Sequence, residues 1–212
     1  MRKSLKKAIN YYDKFAQVYD LFSPKWYYHK ARDYSIKQLQ LNEGDTIINL
    51  PCGTGQNFEY IQKYLNNTGL IIGIDLSDGM LNKAEQKVKK NEWNNIKIIK
   101  ADATKVEPNW IKTQFNHSLK IDAILCDLGL SGFPDWKLVI DNLLSILAPG
   151  GRIVIMDWYL PKPTLKGKFI KWIGKGEVDR PLYQYLESKV SQFSVNTSFN
   201  QGGVFVAVGV KS

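Results

Sequence analysis

Five short apolar runs punctuate the middle of the chain, and each is closed by residues that turn it. Residues 45–50 (DTIINL) end at Pro51-Cys52-Gly53, and residues 70–74 (LIIGI) end at Asp75. Residues 96–99 and 121–126 form the third and fourth runs; residues 152–156 form the fifth, entered from Pro149-Gly150-Gly151. Between them the spacing of apolar positions predicts helices over 56–65, 77–91 and 135–147. Ser77 is placed as an N-cap, Pro134-Asp135 marks a second start, and Pro149-Gly150 stops that helix. Runs that are apolar throughout, separated by helices, belong to a parallel sheet covered on both faces. The pattern therefore predicts a doubly wound α/β domain from about residue 40 to the end.

The pattern changes after the fifth run. Residues 181–190 read as a helix, followed by strands at 193–199 and 204–210. Only Asn200-Gln201-Gly202-Gly203 joins those strands, so they must run antiparallel. A Rossmann-like, mostly parallel sheet that finishes in an antiparallel hairpin is a narrow class. Residues 1–40 read as a helical cap outside the sheet, and residues 41–212 as the main domain.

Composition narrows the setting. The 212 residues fit one sizeable core, and 44% hydrophobic with 23% charged residues fits a globular chain. No apolar run reaches the ~18–20 residues of a membrane-spanning helix. The opening MRKSLKKAINYYDKF has charge but no apolar stretch behind it, which argues against a secretory signal. Cys52 and Cys126 are too few for a disulfide framework or a Cys-rich zinc site, and they suit a reducing cytoplasm. The net charge is +9, but residues 1–32 carry +6 and residues 161–175 carry +5, leaving −2 for the rest. Two basic patches on a mildly acidic body predict docking against something anionic, membrane or nucleic acid.

The candidate chemistry lies at strand ends. The first turn, Asn49-Leu50-Pro51-Cys52-Gly53-Thr54-Gly55, is neither GxGxxG nor a P-loop, so pyrophosphate binding has poor support. A Gly-x-Gly turn still admits a ligand close to the backbone. Asp75, twenty residues beyond Gly55, stands where an acid accepts both hydroxyls of an adenosine ribose. Asp102, after the third strand, offers an acceptor to an exocyclic amine, and Asp127 ends the fourth strand. A single aspartate at a strand end is usually a helix cap. Three strand ends beside a glycine turn, at the edge where open α/β sheets bind ligands, make a stronger case.

These stretches resemble the class I S-adenosylmethionine-dependent methyltransferases. The similarity runs over about residues 8–160. It rests on Ile47-Ile48-Asn49-Leu50-Pro51-Cys52-Gly53-Thr54-Gly55, Gly73-Ile74-Asp75-Leu76-Ser77, Ala101-Asp102-Ala103, and Leu147-Ala148-Pro149-Gly150-Gly151 running into Arg152–Asp157. The resemblance implies seven strands with the last antiparallel, which agrees with the hairpin. It implies that Gly53 and Gly55 pass under the methionine part of the cofactor and that Asp75 holds the ribose. It further implies that Leu76 and Met80 flank the adenine, that Asp102 and Ala103 meet its edge, and that the backbone near Asp127 meets the amino group. Asn49, Pro51, Thr54 and Leu128 complete the implied cofactor set, and S-adenosylhomocysteine would be the product. Two positions depart from the family. Asn49 stands where an acid is usual and brings no negative charge to the cofactor's ammonium. Pro51 stands where glycine is usual and fixes φ near −65°.

Methyl transfer from a sulfonium is an in-line displacement that needs positioning and desolvation, so the missing Ser-His-Asp or Cys-His set is expected. Asp127-Leu128-Gly129-Leu130-Ser131 replaces the Pro-Pro-aromatic motif of many nucleic-acid amino-group methyltransferases, which disfavours nucleic acid as substrate. The acceptor site is left to the cap and the segment after strand five, both basic and aromatic. The pattern Tyr12-Asp13…Tyr19-Asp20 is similar to small-molecule and lipid methyltransferases, including those of quinone biosynthesis and of phosphatidylethanolamine. By that similarity Tyr19 is a candidate over the active site; His29, beside Tyr27 and Tyr28, is a candidate general base, whereas His117 falls in a polar loop. In 166–173, lysines alternate with Phe169, Ile170, Trp172 and Ile173. Either the segment lies at an anionic membrane, or Phe169, Ile170 and Ile173 cover the core. The leading expectation is a cytoplasmic methyltransferase of a small or lipid acceptor such as a phospholipid amine headgroup, touching membrane through residues 1–32 and 161–175. A quinone-like O- or C-acceptor is the second reading, and a cofactor- or RNA-binding chain without transfer is the third. No metal is expected.

Overall fold

The computed structural model describes residues 10–14, 16–17, 24–116, 119–162, 164–174 and 176–212. Helix α1 (Lys25–Gln38) leads into β1 (Thr46–Asn49), α2 (Phe58–Leu65), β2 (Leu70–Asp75), α3 (Asp78–Lys90) and β3 (Ile96–Lys100). Then come α4 (Pro108–Phe115), β4 (Ile121–Asp127), α5 (Trp136–Ile146), β5 (Leu147–Trp158), α6 (Leu165–Gly174), α7 (Leu182–Glu187), β6 (Gln192–Ser198) and β7 (Val204–Val210). The seven strands lie in the order β3-β2-β1-β4-β5-β7-β6. Pairs among β1 to β5 are parallel, and β7 runs antiparallel to both β5 and β6.

The apolar runs form strands because both of their faces are buried. Ile47, Ile71, Leu125 and Val154 face one core, and their neighbours Ile48, Ile72, Ile124 and Ile153 face the other. Each such side chain is stabilised by about 1.5–3 kcal/mol relative to exposure. The strand order reverses between β1 and β4, which opens a crevice at their carboxyl ends. Helix α1 closes one face: Tyr28, Ala31 and Ile36 share a core with β5 and β7, and Arg152 donates to the Gln38 carbonyl at 2.7 Å.

Three details differ from expectation. Helix α4 is not among the helices the spacing predicts; it is short, opens on Pro108, and fully buries only Ile111. Strand β5 begins at Leu147, not at residue 152, because Gly150 and Gly151 exchange hydrogen bonds with Lys211 (2.9 and 3.0 Å) and prolong the ladder through the turn. Helix α7 ends at Glu187 rather than 190. Cys52 and Cys126 are buried and unpaired, the latter in a central strand, and burial pushes both thiols up, away from the reactive thiolate. Among the described residues no helix is long and apolar enough to cross a membrane, and no group of three His, Cys, Asp or Glu gathers to hold a metal.

Candidate active site

The turn after β1 is held open by its neighbours. Cys52 N–H donates to the Ile74 carbonyl (2.8 Å), and Gly53 N–H to Asp75 Oδ2 (2.9 Å). Gly53 adopts φ +52°, and a Cβ there would meet nothing within 4 Å, so its open side faces free space. Gly55, at φ +72°, is packed instead: a Cβ would lie 2.7 Å from Phe58 and 3.4 Å from Ala84. The Pro51 ring sits over Gly129, where any Cβ would collide with it. Asn49 is fully buried; its Nδ2 donates to the Leu125 carbonyl (3.3 Å) and its Oδ1 accepts from Asn57 (3.4 Å). A carboxylate at this position would face that carbonyl with no proton to give, so the amide is built into the turn. Thr54 is buried beside it.

Asp75 is the hinge of the next loop. Its Oδ1 accepts from the N–H groups of Leu76 (2.8 Å) and Ser77 (3.0 Å). Burial raises its carboxyl above the ordinary value, opposed by these two bonds and that of Gly53. Ser77 caps α3 as expected, accepting from Met80 N–H at 3.2 Å, and Met80 is buried. Asp13 lies across the same helix start: its Oδ1 accepts from Ser77 Oγ (2.6 Å) and Gly79 N–H (3.1 Å). Asp102 also caps; its Oδ1 accepts from Thr104 N–H (3.0 Å) and Thr104 Oγ1 (2.8 Å), at the one-turn helix that Ala103 begins.

A residue not singled out by sequence joins this crevice. Arg32, buried on α1, donates from Nε to Asp127 Oδ2 (2.8 Å) and from Nη1 to Gln56 Oε1 (2.8 Å). The other carboxylate oxygen of Asp127 is buried, without a hydrogen-bond partner among the described residues. Leu128 follows at φ +53°, its N–H bound to the Met156 carbonyl at 2.8 Å. Asp157, at the end of β5, accepts from Ser131 N–H, Ser131 Oγ and Trp158 N–H (2.7–2.9 Å). Burial outweighs those bonds and pushes its carboxyl up to about 6. Trp158 forms an aromatic wall with α1: Tyr27 stacks on it at 6.5 Å and Tyr28 meets it edge-on at 6.1 Å. Leu128 packs into the same cluster.

His29 lies elsewhere. It is exposed, with Nδ1 3.0 Å from the Tyr60 hydroxyl, along the seam where Lys25 pairs with Glu59. Tyr19 and His117 fall outside the described residues.

A methyltransferase-domain profile matches residues 41–200, three quarters of the chain. The chain belongs to the class I S-adenosylmethionine-dependent methyltransferases. Among curated proteins, a demethylmenaquinone methyltransferase of Oceanobacillus iheyensis is 27% identical over 159 residues, 74% of this chain and 62% of that relative. The match therefore spans less than two thirds of that relative's own length. The fold is shared with a methyltransferase of Aquifex aeolicus (TM-score 0.64, 19% identity, 85% of this chain and 89% of that one). It is also shared with a phosphoethanolamine N-methyltransferase of Haemonchus contortus (TM-score 0.73, 14% identity, 96% and 60%), solved with phosphomonomethylethanolamine and S-adenosylhomocysteine.

The family's cofactor, S-adenosylmethionine, fits the residues present. A cationic group entering the crevice meets the unpartnered Asp127 oxygen, and the methyltransferase turn leaves its open side at Gly53. Asp75 supplies acceptors at the β2 end, and buried Met80 with half-buried Leu76 supplies apolar surface beside it.

Proposed function

We infer that the chain transfers the methyl group of S-adenosylmethionine to a flat, quinone-like acceptor held against the Trp158 wall. The observation that carries this is the aromatic cluster at the carboxyl end of β5, where Trp158 and Tyr28 are buried and Tyr27 is half-buried. Rings arranged this way favour a planar aromatic ligand by stacking. The demethylmenaquinone methyltransferases among its relatives support the same acceptor class over a phospholipid amine. When bound, the cofactor supplies an electrophilic methyl on a sulfonium. Asp75 accepts the ribose hydroxyls, and the Gly53 side of the turn passes under the methionine part. Asp127 Oδ1 accepts from the ammonium and supplies the negative charge that Asn49 does not, while Arg32 fixes that carboxylate in place. Asp102 and Ala103 border the adenine edge, with Asp102 Oδ2 left after its capping bonds. The aromatic wall holds the acceptor and excludes water, which is what an in-line displacement requires of the protein.

The test is methyl transfer from labelled S-adenosylmethionine to three acceptors in parallel: a reduced naphthoquinone, phosphoethanolamine and phosphatidylethanolamine. Label in the quinone product is expected, with Trp158→Ala raising KM for it. Label confined to an amine acceptor would reverse the assignment. Tight cofactor binding with no product would leave a binding protein.

A further inference from the structure

Helix α6 presents two faces, and only one belongs to the core. Gly167 is buried, where a Cβ would meet Thr164 (3.2 Å), Val178 (3.6 Å) and Leu160 (3.7 Å), and Ile170 packs half-buried against the core. Leu165, Phe169 and Trp172 are 86%, 59% and 67% exposed. At about 100° per residue these three fall within roughly 60° of one another, on the side opposite Gly167 and Ile170. Of the three residues expected to cover the core, Ile170 does so, Phe169 does not, and the Ile173 side chain lies outside the described residues. Lys162, Lys168 and Lys171 are exposed, Lys168 one turn from Trp172 at the edge of the stripe, and residues 161–175 hold five lysines and no acid.

Singly exposed apolar residues are ordinary. A stripe of one aliphatic and two aromatic side chains, lying along a helix already anchored on its other side and in a segment whose described lysines are exposed, is not. We propose that α6 docks the protein flat on an anionic lipid surface, with Leu165, Phe169 and Trp172 entering below the headgroups and the lysines facing lipid phosphates. The charge decides the partner. The partner must be anionic over the full ~15 Å of a ten-residue helix and apolar just beneath, which describes a charged bilayer interface. The helix is far too short to span a bilayer. Each lysine held at such a surface multiplies partitioning by roughly fivefold. The surface lies outside the cofactor crevice, so the proposal stands whichever acceptor the enzyme uses.

Flotation of the full chain with phosphatidylcholine vesicles, with and without phosphatidylglycerol, tests it in the absence of cofactor and acceptor. Binding to the anionic vesicles is expected to exceed that to neutral ones by about tenfold or more and to fall as salt rises. Phe169→Ser/Trp172→Ser and Lys168→Glu/Lys171→Glu should each lower it by about tenfold or more, with thermal unfolding and S-adenosylmethionine affinity unchanged because these side chains are exposed. No binding by the wild type overturns the proposal, as does binding that either double variant leaves intact. Loss of a dimer in the variants, without vesicle binding by the wild type, would make the stripe a contact between copies and equally overturn it.

Discussion

The buried pair of Arg32 and Asp127 gives the sharpest test of how the cap and the crevice are joined. Both side chains are 4% exposed, and they are bound at 2.8 Å between α1 and the end of β4. Arg32→Met removes the cation and leaves a buried carboxylate with neither oxygen paired. Breaking a buried pair from one side costs about 3–5 kcal/mol. For a chain of this size that is a fall in Tm of about 6–20 °C. Arg32→Met/Asp127→Leu removes both charges, and apolar replacement of a whole pair is often neutral or stabilising. The loss of the Arg32 donor to Gln56 costs about 1–3 kcal/mol. The double variant should thus sit within about 2 kcal/mol of wild type; with each single variant costing about 3 kcal/mol or more, the coupling energy in the double-mutant cycle should reach about 4 kcal/mol or more. Urea unfolding measures it. The double variant should nevertheless bind S-adenosylmethionine poorly, by roughly 10- to 150-fold, because a charged hydrogen bond to the ammonium is worth about 1.5–3 kcal/mol. If Arg32→Met costs less than about 1 kcal/mol, the buried-pair reasoning is wrong. If the refolded double variant binds the cofactor like wild type, Asp127 is not a cofactor residue.

Other outcomes follow from the same geometry. Asp75→Ala should weaken S-adenosylmethionine by roughly 10- to 150-fold in calorimetry, through lost charged hydrogen bonds; unchanged affinity would remove the ribose assignment. Gly55→Ala should destabilise by about 2–3 kcal/mol, from strain at φ +72° plus collision with Phe58, whereas Gly53→Ala should cost only about 1–2 kcal/mol and act chiefly on cofactor affinity. Denaturation of the two variants separates these, and equal costs would contradict the packing difference. The Asp157 carboxyl is raised from 3.8 to about 6, so stability is lost as pH rises through that window, by up to about 3 kcal/mol. Asp157→Asn should lose less stability than wild type between pH ~4.5 and ~7; parallel profiles would refute the shift. His29→Asn should change kcat by no more than about threefold, since its ring braces Tyr60 at an exposed seam; a fall beyond about a hundredfold would restore it as a base.

The strands were legible because burial on two faces writes itself as an unbroken apolar run. Residues 70–74 and 121–126 each fell within one residue of β2 and β4. Strand β6 is mostly exposed and polar, and was found only because the short Asn200–Gly203 turn ties it to β7, buried at every position but Val210. Helix α4 escaped because one buried residue makes no periodicity. The extension of β5 escaped because its partners are Ile121, across an irregularity in the β4 ladder, and Lys211, sixty residues away, and no local signal encodes those pairings.

The site divides along the same line. Gly53, Asp75 and Ser77 belong to turns and caps, whose chemistry is local, so their spacing from a strand end is enough to single them out, whereas Met80 enters only through the family resemblance. Arg32 was counted among the cations of the basic N-terminal patch, because nothing near it distinguishes a buried arginine from a solvated one. Its partner is 95 residues away. The available signal was indirect: it follows Tyr28 by one helical turn, beneath whose ring its guanidinium lies at 6.0 Å, on a helix already rich in aromatic residues. The charge pattern therefore mixes two kinds of cation. Lys168 and Lys171 stand in solvent around an apolar stripe, where they select an anionic surface. Arg32 is spent inside, on Asp127, where the same positive charge fixes an acceptor for a cationic cofactor. Arg32 therefore does not count toward the charge the cap presents, while Lys162, Lys168 and Lys171 are exposed, and among the described residues α6 adds an exposed apolar stripe to such lysines, which is why the docking surface is assigned to it.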